Sequence, residues 1–187
     1  MKNLTEIIAT LSHYQPIRLP ETSSSAAVII ILLKDAHDHL EIVLTKRAET
    51  LPTYAGQYSF PGGIRDPGDA DWYETATREV QEELNLSDES YQYVGELDDF
   101  PDRYNNLVRV FVVLMHKEDF LKNYKISADE IAEIYFFSLE KLTQLKDDPN
   151  LHIITRRRPS YAFTEGVVFV WGLTAAILVR FREVIAA

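Results

Sequence analysis

Residues 59–86 decide the fold of this chain, and they read SFPGGIRDPGDADWYETATREVQEELNL. The second half of this stretch, Trp72–Leu86, predicts a helix because its apolar residues recur every three or four positions. On a helical wheel of about 100° per residue, the residues expected to bury against a sheet are Tyr73, Ala76, Thr77, Val80 and Leu84. The adjoining face is acidic, so one side of the helix is left for chemistry or for solvent.

Three glutamates, Glu79, Glu82 and Glu83, share this acidic face at spacings of three and four residues. Like charges at these spacings repel one another by roughly a few tenths of a kcal/mol per pair. A divalent cation removes that repulsion if the carboxylates converge on it, and oxygen ligands suit hard ions such as Mg²⁺ or Mn²⁺. A solvated acidic face without a ligand is the alternative that the helix alone leaves open.

Two glycines precede the helix in the segment Ser59–Gly63, SFPGG. A double glycine allows a tight turn with positive φ and a close approach of the backbone to a ligand. By itself, FPGG is equally typical of an ordinary turn. The combination is more specific, because the glycines, the acid Asp69 and the Arg-Glu-x-x-Glu-Glu run from Arg78 follow one another at fixed spacing.

The whole stretch resembles the Nudix box, which reads Gly, five residues, Glu, seven residues, and then Arg-Glu-apolar-x-Glu-Glu-x-Gly-apolar. The matching residues here are Gly63, Arg78, Glu79, Val80, Glu82, Glu83 and Leu86. The departures are Asp69 in place of the Glu, eight residues rather than seven before Arg78, and Asn85 in place of the last Gly. Asn is the next best residue for a left-handed helix cap, and the Arg-Glu-x-x-Glu-Glu core is intact.

A longer stretch, Leu44–Gly63, is similar to the segment before the box in coenzyme A pyrophosphatases. That family typically carries Leu-Leu-Thr-x-Arg, a Leu-Arg segment, Gly-Gln and Phe-Pro-Gly-Gly. The matching residues are Leu44, Thr45, Arg47, Leu51, Gly56, Gln57, Phe60, Pro61, Gly62 and Gly63. Where the family has Arg after Leu51, this chain has Pro52, and an arginine there would suit a substrate phosphate. The triplet Arg156–Arg158 either supplies positive charge instead or forms a solvated basic loop.

These resemblances imply an α/β fold, a Nudix-type α/β/α sandwich with a mixed β-sheet, and a metal-dependent hydrolase of a diphosphate linkage. The residues implied as ligands of Mg²⁺ or Mn²⁺ are Glu79, Glu82 and Glu83. The residues implied in catalysis are Glu83, Glu130 and Arg78, and those implied in substrate binding are Arg47, Phe60, Gly62 and Gly63. Coenzyme A or a derivative would be cleaved to 3′,5′-ADP and 4′-phosphopantetheine.

A further acid is expected from the segment Ser127–Phe137, which offers Asp129, Glu130 and Glu133. The segment looks like the Asp-Glu-apolar run of Nudix enzymes, so Glu130 is our candidate for a further metal ligand or a general base. A helix-start acid stabilised by the helix dipole is the alternative. We expect Arg78 to orient a box glutamate rather than to contact the substrate.

The rest of the chain predicts strands and helices around this unit. The predicted strands are Ala26–Leu33, Glu41–Lys46, Tyr91–Asp99, Leu107–His116 and Glu133–Phe137, and the first two form a hairpin. Thr50–Arg65 is expected to be a loop, Gly166–Glu183 a long buried helix, and Leu4–Leu11 a short amphipathic helix. We expect a single domain over residues 1–187, with an N-terminal helix and loop over 1–25 and a catalytic body over 26–187.

The composition limits the classes of function. The 187 residues carry 19 Lys and Arg against 29 Asp and Glu, a net charge of −10, which argues against a nucleic-acid partner. The absence of cysteine excludes thiolate metal sites and cysteine nucleophiles. Without a secretory signal or an apolar run long enough for a bilayer, we expect a cytoplasmic protein with no membrane partner, acting as a monomer or a homodimer on a small nucleotide diphosphate.

Two other interpretations stay open. A Nudix hydrolase of another nucleoside diphosphate derivative, such as ADP-ribose, NADH or a dinucleoside polyphosphate, is favoured by Pro52. A non-catalytic Nudix-fold binding module would be expected to lose box glutamates, and all of them are present. His37 and His39 have the spacing of a metal-binding pair, but a solvated hairpin tip is the simpler interpretation.

Overall fold

The computed structural model describes residues 2–22, 24–148, 150 and 160–187, so the Arg156–Arg158 triplet lies outside the described residues. The helices are α1 (Leu4–His13), α2 (Trp72–Leu84), α3 (Lys117–Asn123) and α4 (Gly172–Ala186), with 3₁₀ segments at Asp88–Ser90 and Leu139–Gln144. The strands are β1 (Ala26–Lys34), β2 (Leu40–Arg47), β3 (Tyr58–Ser59), β4 (Gly62–Ile64), β5 (Gln92–Glu96), β6 (Phe100–Pro101), β7 (Leu107–His116), β8 (Ile131–Ser138), β9 (Lys146–Asp147), β10 (Tyr161–Glu165) and β11 (Val168–Trp171). None of the helices in these ranges is long and apolar enough to cross a membrane.

Strand β1 lies at the centre of a mixed sheet. It pairs antiparallel with β2, with Leu32 opposite Ile42, which confirms the predicted hairpin. It pairs in parallel with β7 on its other edge, with Ile29 opposite Phe111. The sheet runs in the order β3–β2–β1–β7–β5, with β4 on β1, β6 on β7 and β8 on β2, while β9, β10 and β11 form a smaller sheet.

Both faces of β1 are buried, because alternate residues enter two hydrophobic clusters. Ile29 and Ile31 pack with Val80 of α2 in one cluster, and Ile30 packs with Phe181 of α4 in the other. An unbroken apolar strand is the pattern that burial on both faces requires. The helical layers on the two faces confirm the predicted α/β/α sandwich.

The prediction of one long helix over Gly166–Glu183 is wrong. The first part of this segment is strand β11, which forms an antiparallel hairpin with β10, and α4 begins only after β11. Burial alternates along β11, with Val168 and Val170 buried and Phe169 exposed between them, which is the period of a strand. The turn is made at Gly166, with a φ of 58°. The apolar residue on the exposed face concealed this alternation.

The predicted amphipathic helix over Leu4–Leu11 is confirmed as α1, which packs on the sheet with Ile7 and Leu11 buried. The strand predicted over Tyr91–Asp99 is shorter, because β5 ends three residues before its predicted end. The chain after β5 instead fixes the N-terminal segment, since the carboxylate of Asp98 accepts a hydrogen bond from the Tyr14 hydroxyl at 2.9 Å. The N-terminal segment is therefore tied to the body by polar contacts as well as by apolar packing.

Candidate active site

Helix α2 carries the predicted acidic face. It begins after Asp71, whose side chain accepts a hydrogen bond from the Glu74 N–H at 2.8 Å, as an N-cap does. It ends at Asn85, whose φ of 57° is left-handed, so the predicted cap at this position is confirmed. Val80 and Leu84 pack into the core, which leaves the acidic residues on the flank of the helix that faces β4.

The two glycines lie in β4, so the expected loop Thr50–Arg65 contains the short strands β3 and β4. Gly62 has a φ of 146°, and a Cβ there would lie 2.3 Å from a carbonyl oxygen of β1. A Cβ on Gly63 would lie 2.4 Å from the carboxyl carbon of Glu79. Neither position has room for a side chain, so the backbone runs directly against β1 on one side and a box glutamate on the other.

The Arg78 guanidinium joins the box to the turn before α2. Its Nε and Nη2 donate to the two carboxylate oxygens of Asp69 at 3.0 and 3.2 Å, and Nη2 also donates to the Ile64 carbonyl at 3.1 Å. Its Nη1 donates to Glu79 at 2.9 Å and to Glu82 at 3.3 Å. The hydrogen bonds from Arg78 lower the pKa of Asp69 to about 2. Asp69 therefore holds Arg78, and Arg78 in turn holds two box glutamates.

Glu83 is the most deeply buried carboxylate of the box. The residue is 4% exposed, and its Oε2 has no hydrogen-bond partner in the described part of the chain. Burial raises the pKa of Glu83 to about 8, the charge of Glu79 adds to this, and Arg47 and the Gly62 N–H oppose it. A buried polar atom without a partner is costly, and a cation would satisfy it.

Glu130 completes the acidic cluster at the end of α2. Burial is the largest cause that raises the pKa of Glu79, and the negative charges of Glu82 and Glu130 add to it. Glu130 also contributes to the raised pKa of Glu83. Glu130 and the box glutamates are thus close enough for their negative charges to raise one another's pKa values.

The segment 125–130 is fixed to α2, which explains how Glu130 reaches the box. The backbone N–H groups of Lys125 and Ser127 donate to the Leu84 and Glu83 carbonyls, each at 2.9 Å. These carbonyls belong to the last turn of the helix, where no intrahelical donor is available. The Glu130 carbonyl also accepts a hydrogen bond at 2.8 Å from the N–H that follows β2. The segment therefore bridges α2 and β2.

The structure brings together most of the predicted site residues, namely Arg47, Gly62, Gly63, Arg78, Glu79, Glu83 and Glu130. Glu82 lies at the rim, with 52% of its side chain exposed. Phe60 is buried in the hydrophobic core and is only 3% exposed. Among the other acids offered before and within β8, Asp129 is exposed and Glu133 accepts a hydrogen bond from the Tyr58 hydroxyl.

Arg47 ends β2 at a register shift in the pairing of β2 with β8. Its Nε donates to the Thr53 carbonyl at 3.4 Å. No carboxylate of the described chain lies within ion-pair distance of its guanidinium, although its charge opposes the raised pKa of Glu83. A guanidinium without a carboxylate partner, beside a cluster of acids, is suited to bind a phosphate.

The described ranges hold no group of three or more His, Asp or Glu side chains that could hold a metal ion as they stand. His37 and His39 lie in an exposed turn, where their N–H groups donate to Asp35 at 2.8 and 2.9 Å. Mg²⁺, however, is usually held by one or two carboxylates together with substrate phosphates rather than by a full protein cage. Glu79 and Glu83, with one buried oxygen unpartnered, fit such a partial site.

Comparison with known proteins identifies the fold and the box together. A model of the NUDIX domain matches residues 24–157. The chain belongs to the Nudix family. Nudix hydrolases act on phosphorus-containing acid anhydrides and generally use divalent cations, so this Nudix chain is a pyrophosphohydrolase. The predicted family and the predicted class of enzyme are confirmed.

Relatives of this Nudix chain cover most of its length. The uncharacterized Nudix hydrolase NudL of Photorhabdus laumondii is 31% identical over 165 residues, which cover 87% of this chain and 86% of NudL. The mitochondrial coenzyme A diphosphatase NUDT8 of Mus musculus is 30% identical over 163 residues, covering 86% of this chain and 77% of NUDT8. A C. elegans Ap4A hydrolase in a binary complex has a TM-score of 0.52 at 21% identity, covering 64% of this chain and 83% of that one, and is similar in fold.

The role of Asp69 within this Nudix site was not predicted. The sequence assigned it only as a replacement for the usual Glu of the box, whereas its carboxylate forms a two-oxygen fork with Arg78. The spacing carried a signal, because Asp69 precedes the N-cap Asp71 by two residues. A long arginine side chain on the second turn of a helix points back toward the N-terminus of the helix, where Asp69 lies.

Proposed function

We propose that this Nudix hydrolase cleaves the diphosphate of coenzyme A or a derivative, giving 3′,5′-ADP and 4′-phosphopantetheine. The observation that carries the proposal is the placement of Arg47 beside the box glutamates, because Arg47 belongs to the segment Leu44–Gly63 that resembles coenzyme A pyrophosphatases. The relative NUDT8 carries the name of a coenzyme A diphosphatase, which supports the same substrate class.

The residues proposed to hold Mg²⁺ or Mn²⁺ are Glu79 and Glu83, with Glu82 at the rim. A bound divalent cation would neutralise charge on the diphosphate oxygens and lower the pKa of a water molecule. Glu83 contributes its unpartnered Oε2. Gly63 contributes space, because any side chain there would displace the carboxylate of Glu79. Arg78 is a positioning residue, since it contacts Glu79 and Glu82 and is itself held by the turn before α2.

Glu130 is the proposed general base. Its carboxylate accepts the proton of the water that attacks one phosphorus, while the bridging oxygen leaves with the other phosphate. Arg47 binds a non-bridging phosphate oxygen and so holds the diphosphate against the carboxylates. The backbone at Gly62 and Gly63 runs close enough to the site for the phosphate to approach without a side chain in the way.

A second candidate is hydrolysis of another nucleoside diphosphate derivative, such as ADP-ribose, NADH or a dinucleoside polyphosphate. Pro52 favours this candidate, because it removes the arginine that the coenzyme A family carries at this position. The box residues would perform the same chemistry, and the loops around them would bind a different nucleoside. A binding module without turnover is not favoured, since every box glutamate is retained.

The test is turnover of coenzyme A, ADP-ribose, NADH, a diadenosine polyphosphate and a nucleoside triphosphate, each with Mg²⁺ and with Mn²⁺. We expect release of 3′,5′-ADP from coenzyme A, identified by mass, to exceed turnover of the others. Preferred turnover of another compound would replace the coenzyme A proposal by the second candidate. No turnover of any compound with either ion would contradict catalysis.

The role of Glu83 is tested by Glu83→Gln. We expect turnover to fall by roughly a hundredfold or more. The free energy of unfolding in metal-free buffer should be unchanged or higher, because a buried carboxylate with one unpartnered oxygen is replaced by a neutral group of the same shape. The matched control is Glu89→Gln on the exposed 3₁₀ segment, which should keep full turnover. Unchanged turnover in Glu83→Gln would refute the assignment.

A further inference from the structure

Two of the three arginines that form no ion pair in the described chain lie at one edge of the site. Most arginines of the described chain form ion pairs, namely Arg18, Arg65, Arg78, Arg109 and Arg180. Arg47 and Arg103 form none there, and both flank Tyr54. Arg182, on α4, instead donates to the Leu142 carbonyl at 3.0 Å. In a chain with a net charge of −10, two guanidinium groups without a carboxylate partner beside the same loop, Arg47 at Thr53 and Arg103 at Tyr54, indicate a site for an anion.

The Arg103 guanidinium lies between two tyrosine rings. Its central carbon is 4.7 Å from the ring centre of Tyr54 and 4.5 Å from that of Tyr104, both within the range of a cation–π contact. Its Nη2 also donates to the Tyr104 hydroxyl. Tyr54 is 39% exposed and Tyr104 is 67% exposed, so this cluster of Tyr54, Arg103 and Tyr104 faces solvent.

Both loops that form the cluster have internal hydrogen bonds that hold their shape. In the connection between β6 and β7, the Asp102 carboxylate accepts hydrogen bonds from the N–H groups of Tyr104 at 2.8 Å and Asn106 at 2.7 Å. In the loop after β2, Tyr54 has a left-handed φ of 57°, and its carbonyl accepts the Gln57 N–H at 3.2 Å. The rings and the guanidinium are thus presented by ordered turns.

The cluster begins next to the proposed active site. The Nε of Arg47 donates to the carbonyl of Thr53, the residue before Tyr54, and the charge of Arg47 acts on both Tyr54 and Glu83. The loop that carries Tyr54 therefore leads from the box glutamates to Arg103. A ligand whose diphosphate lies at Arg47 would place its next groups along this loop.

We propose that Arg103 binds the phosphomonoester on the nucleotide half of the substrate, outside the diphosphate that is cleaved. In coenzyme A this group is the 3′-phosphate, so the inference rests on the proposed function. Pro52 leaves the loop without an arginine of its own, and Arg103 brings a guanidinium to the same loop from the β6–β7 connection. The rings of Tyr54 and Tyr104 hold that guanidinium while its free N–H groups point to the phosphate.

The test compares coenzyme A with dephospho-coenzyme A, which lacks the 3′-phosphate, in the wild type and in Arg103→Met. We expect the ratio of kcat/KM for coenzyme A to that for dephospho-coenzyme A to fall by roughly tenfold or more, mainly through KM. Arg103→Lys should restore part of the ratio, because it returns the charge without the planar fork. Lys122→Met, which removes one positive charge from exposed α3, should leave the ratio unchanged.

The outcomes separate this inference from the proposed function. A wild type that cleaves neither compound would refute the proposed function and this inference with it. A wild type that cleaves both, with a ratio unchanged in Arg103→Met, would refute the inference alone. An equal fall in Lys122→Met would also refute it, because the effect would then come from net charge rather than from contact.

Discussion

The ion pair between Asp69 and Arg78 allows us to predict how much the Asp69 carboxylate contributes to stability. Asp69 is 8% exposed and accepts two hydrogen bonds from Arg78, which lower its pKa from 3.8 to about 2. This lowering of the pKa corresponds to roughly 2.4 kcal/mol. Screening by solvent reduces the contribution to about 1–2 kcal/mol, because 25% of the Arg78 side chain is exposed. Asp69→Asn should lower the free energy of unfolding at pH 7 by that amount.

The assay is urea denaturation followed by circular dichroism. With an m-value of about 2 kcal/mol/M, the midpoint should fall by roughly 0.5–1 M while the m-value stays constant. Asp66→Asn is the matched control, because Asp66 is exposed three residues earlier in the same turn. Its midpoint should stay within about 0.2 M of the wild type, the scatter typical of surface changes.

The pH dependence of the free energy of unfolding tests the contribution of the Asp69–Arg78 ion pair. Because the folded-state pKa of Asp69 is lowered, its contribution is full above about pH 4 and is lost as the pH falls toward 2. The stability difference between the wild type and Asp69→Asn should therefore be constant from pH 7 to about pH 5 and about halved near pH 3. A difference that is absent at pH 7, or that keeps its full size at pH 3, would show that the ion pair does not stabilise the turn.

Two further predictions concern backbone positions of the box. Gly63→Ala should lower kcat by roughly tenfold or more with a small change in melting temperature, because its Cβ would displace the Glu79 carboxylate. The control is Gly68→Ala, because nothing lies within 4 Å of a Cβ at that position. An equal loss of kcat in both variants would contradict this prediction. Asn85→Ala should lower the melting temperature by about 2–4 °C, because a left-handed φ costs about 1 kcal/mol in Ala. Asn85→Gly should leave the melting temperature equal or higher. An unchanged melting temperature in Asn85→Ala would contradict a left-handed cap at this position.

The sequence alone predicted the elements whose periodicity is unambiguous. The strand from Ala26 is apolar without interruption, and the helix from Trp72 carries apolar residues at helical spacing, so both were placed within one or two residues. The segment from Gly166 failed, because its exposed positions are also apolar and no alternation was visible. Pairing in parallel between β1 and β7 joins residues about 80 positions apart, such as Ile29 and Phe111, which no local pattern indicates.

The sequence predicted the helix that carries the candidate site, but it did not predict how the residues around that helix are arranged. The spacing of the box glutamates placed them on one flank, but their burial depends on β4, and the sequence does not say that Glu83 is enclosed while Glu82 stays at the rim. The contact of Arg103 with Tyr54 joins two loops that are about 50 residues apart in the chain. Such a contact is set by the packing of the sheet, so the residues around it carry no signal of their own.

The hydrogen bonds from the segment 125–130 to the end of α2 also bear on where the chain tolerates added residues. An insertion between α3 and β8 would break the donation to the Glu83 and Leu84 carbonyls and would shift Glu130, so the length of this connection should stay constant among active variants. The tip of the β10–β11 hairpin is the opposite case, because Val167 is 96% exposed. A peptide tag or a cysteine for a fluorescent label is best introduced at that tip, where it leaves the glutamates and both sheets undisturbed.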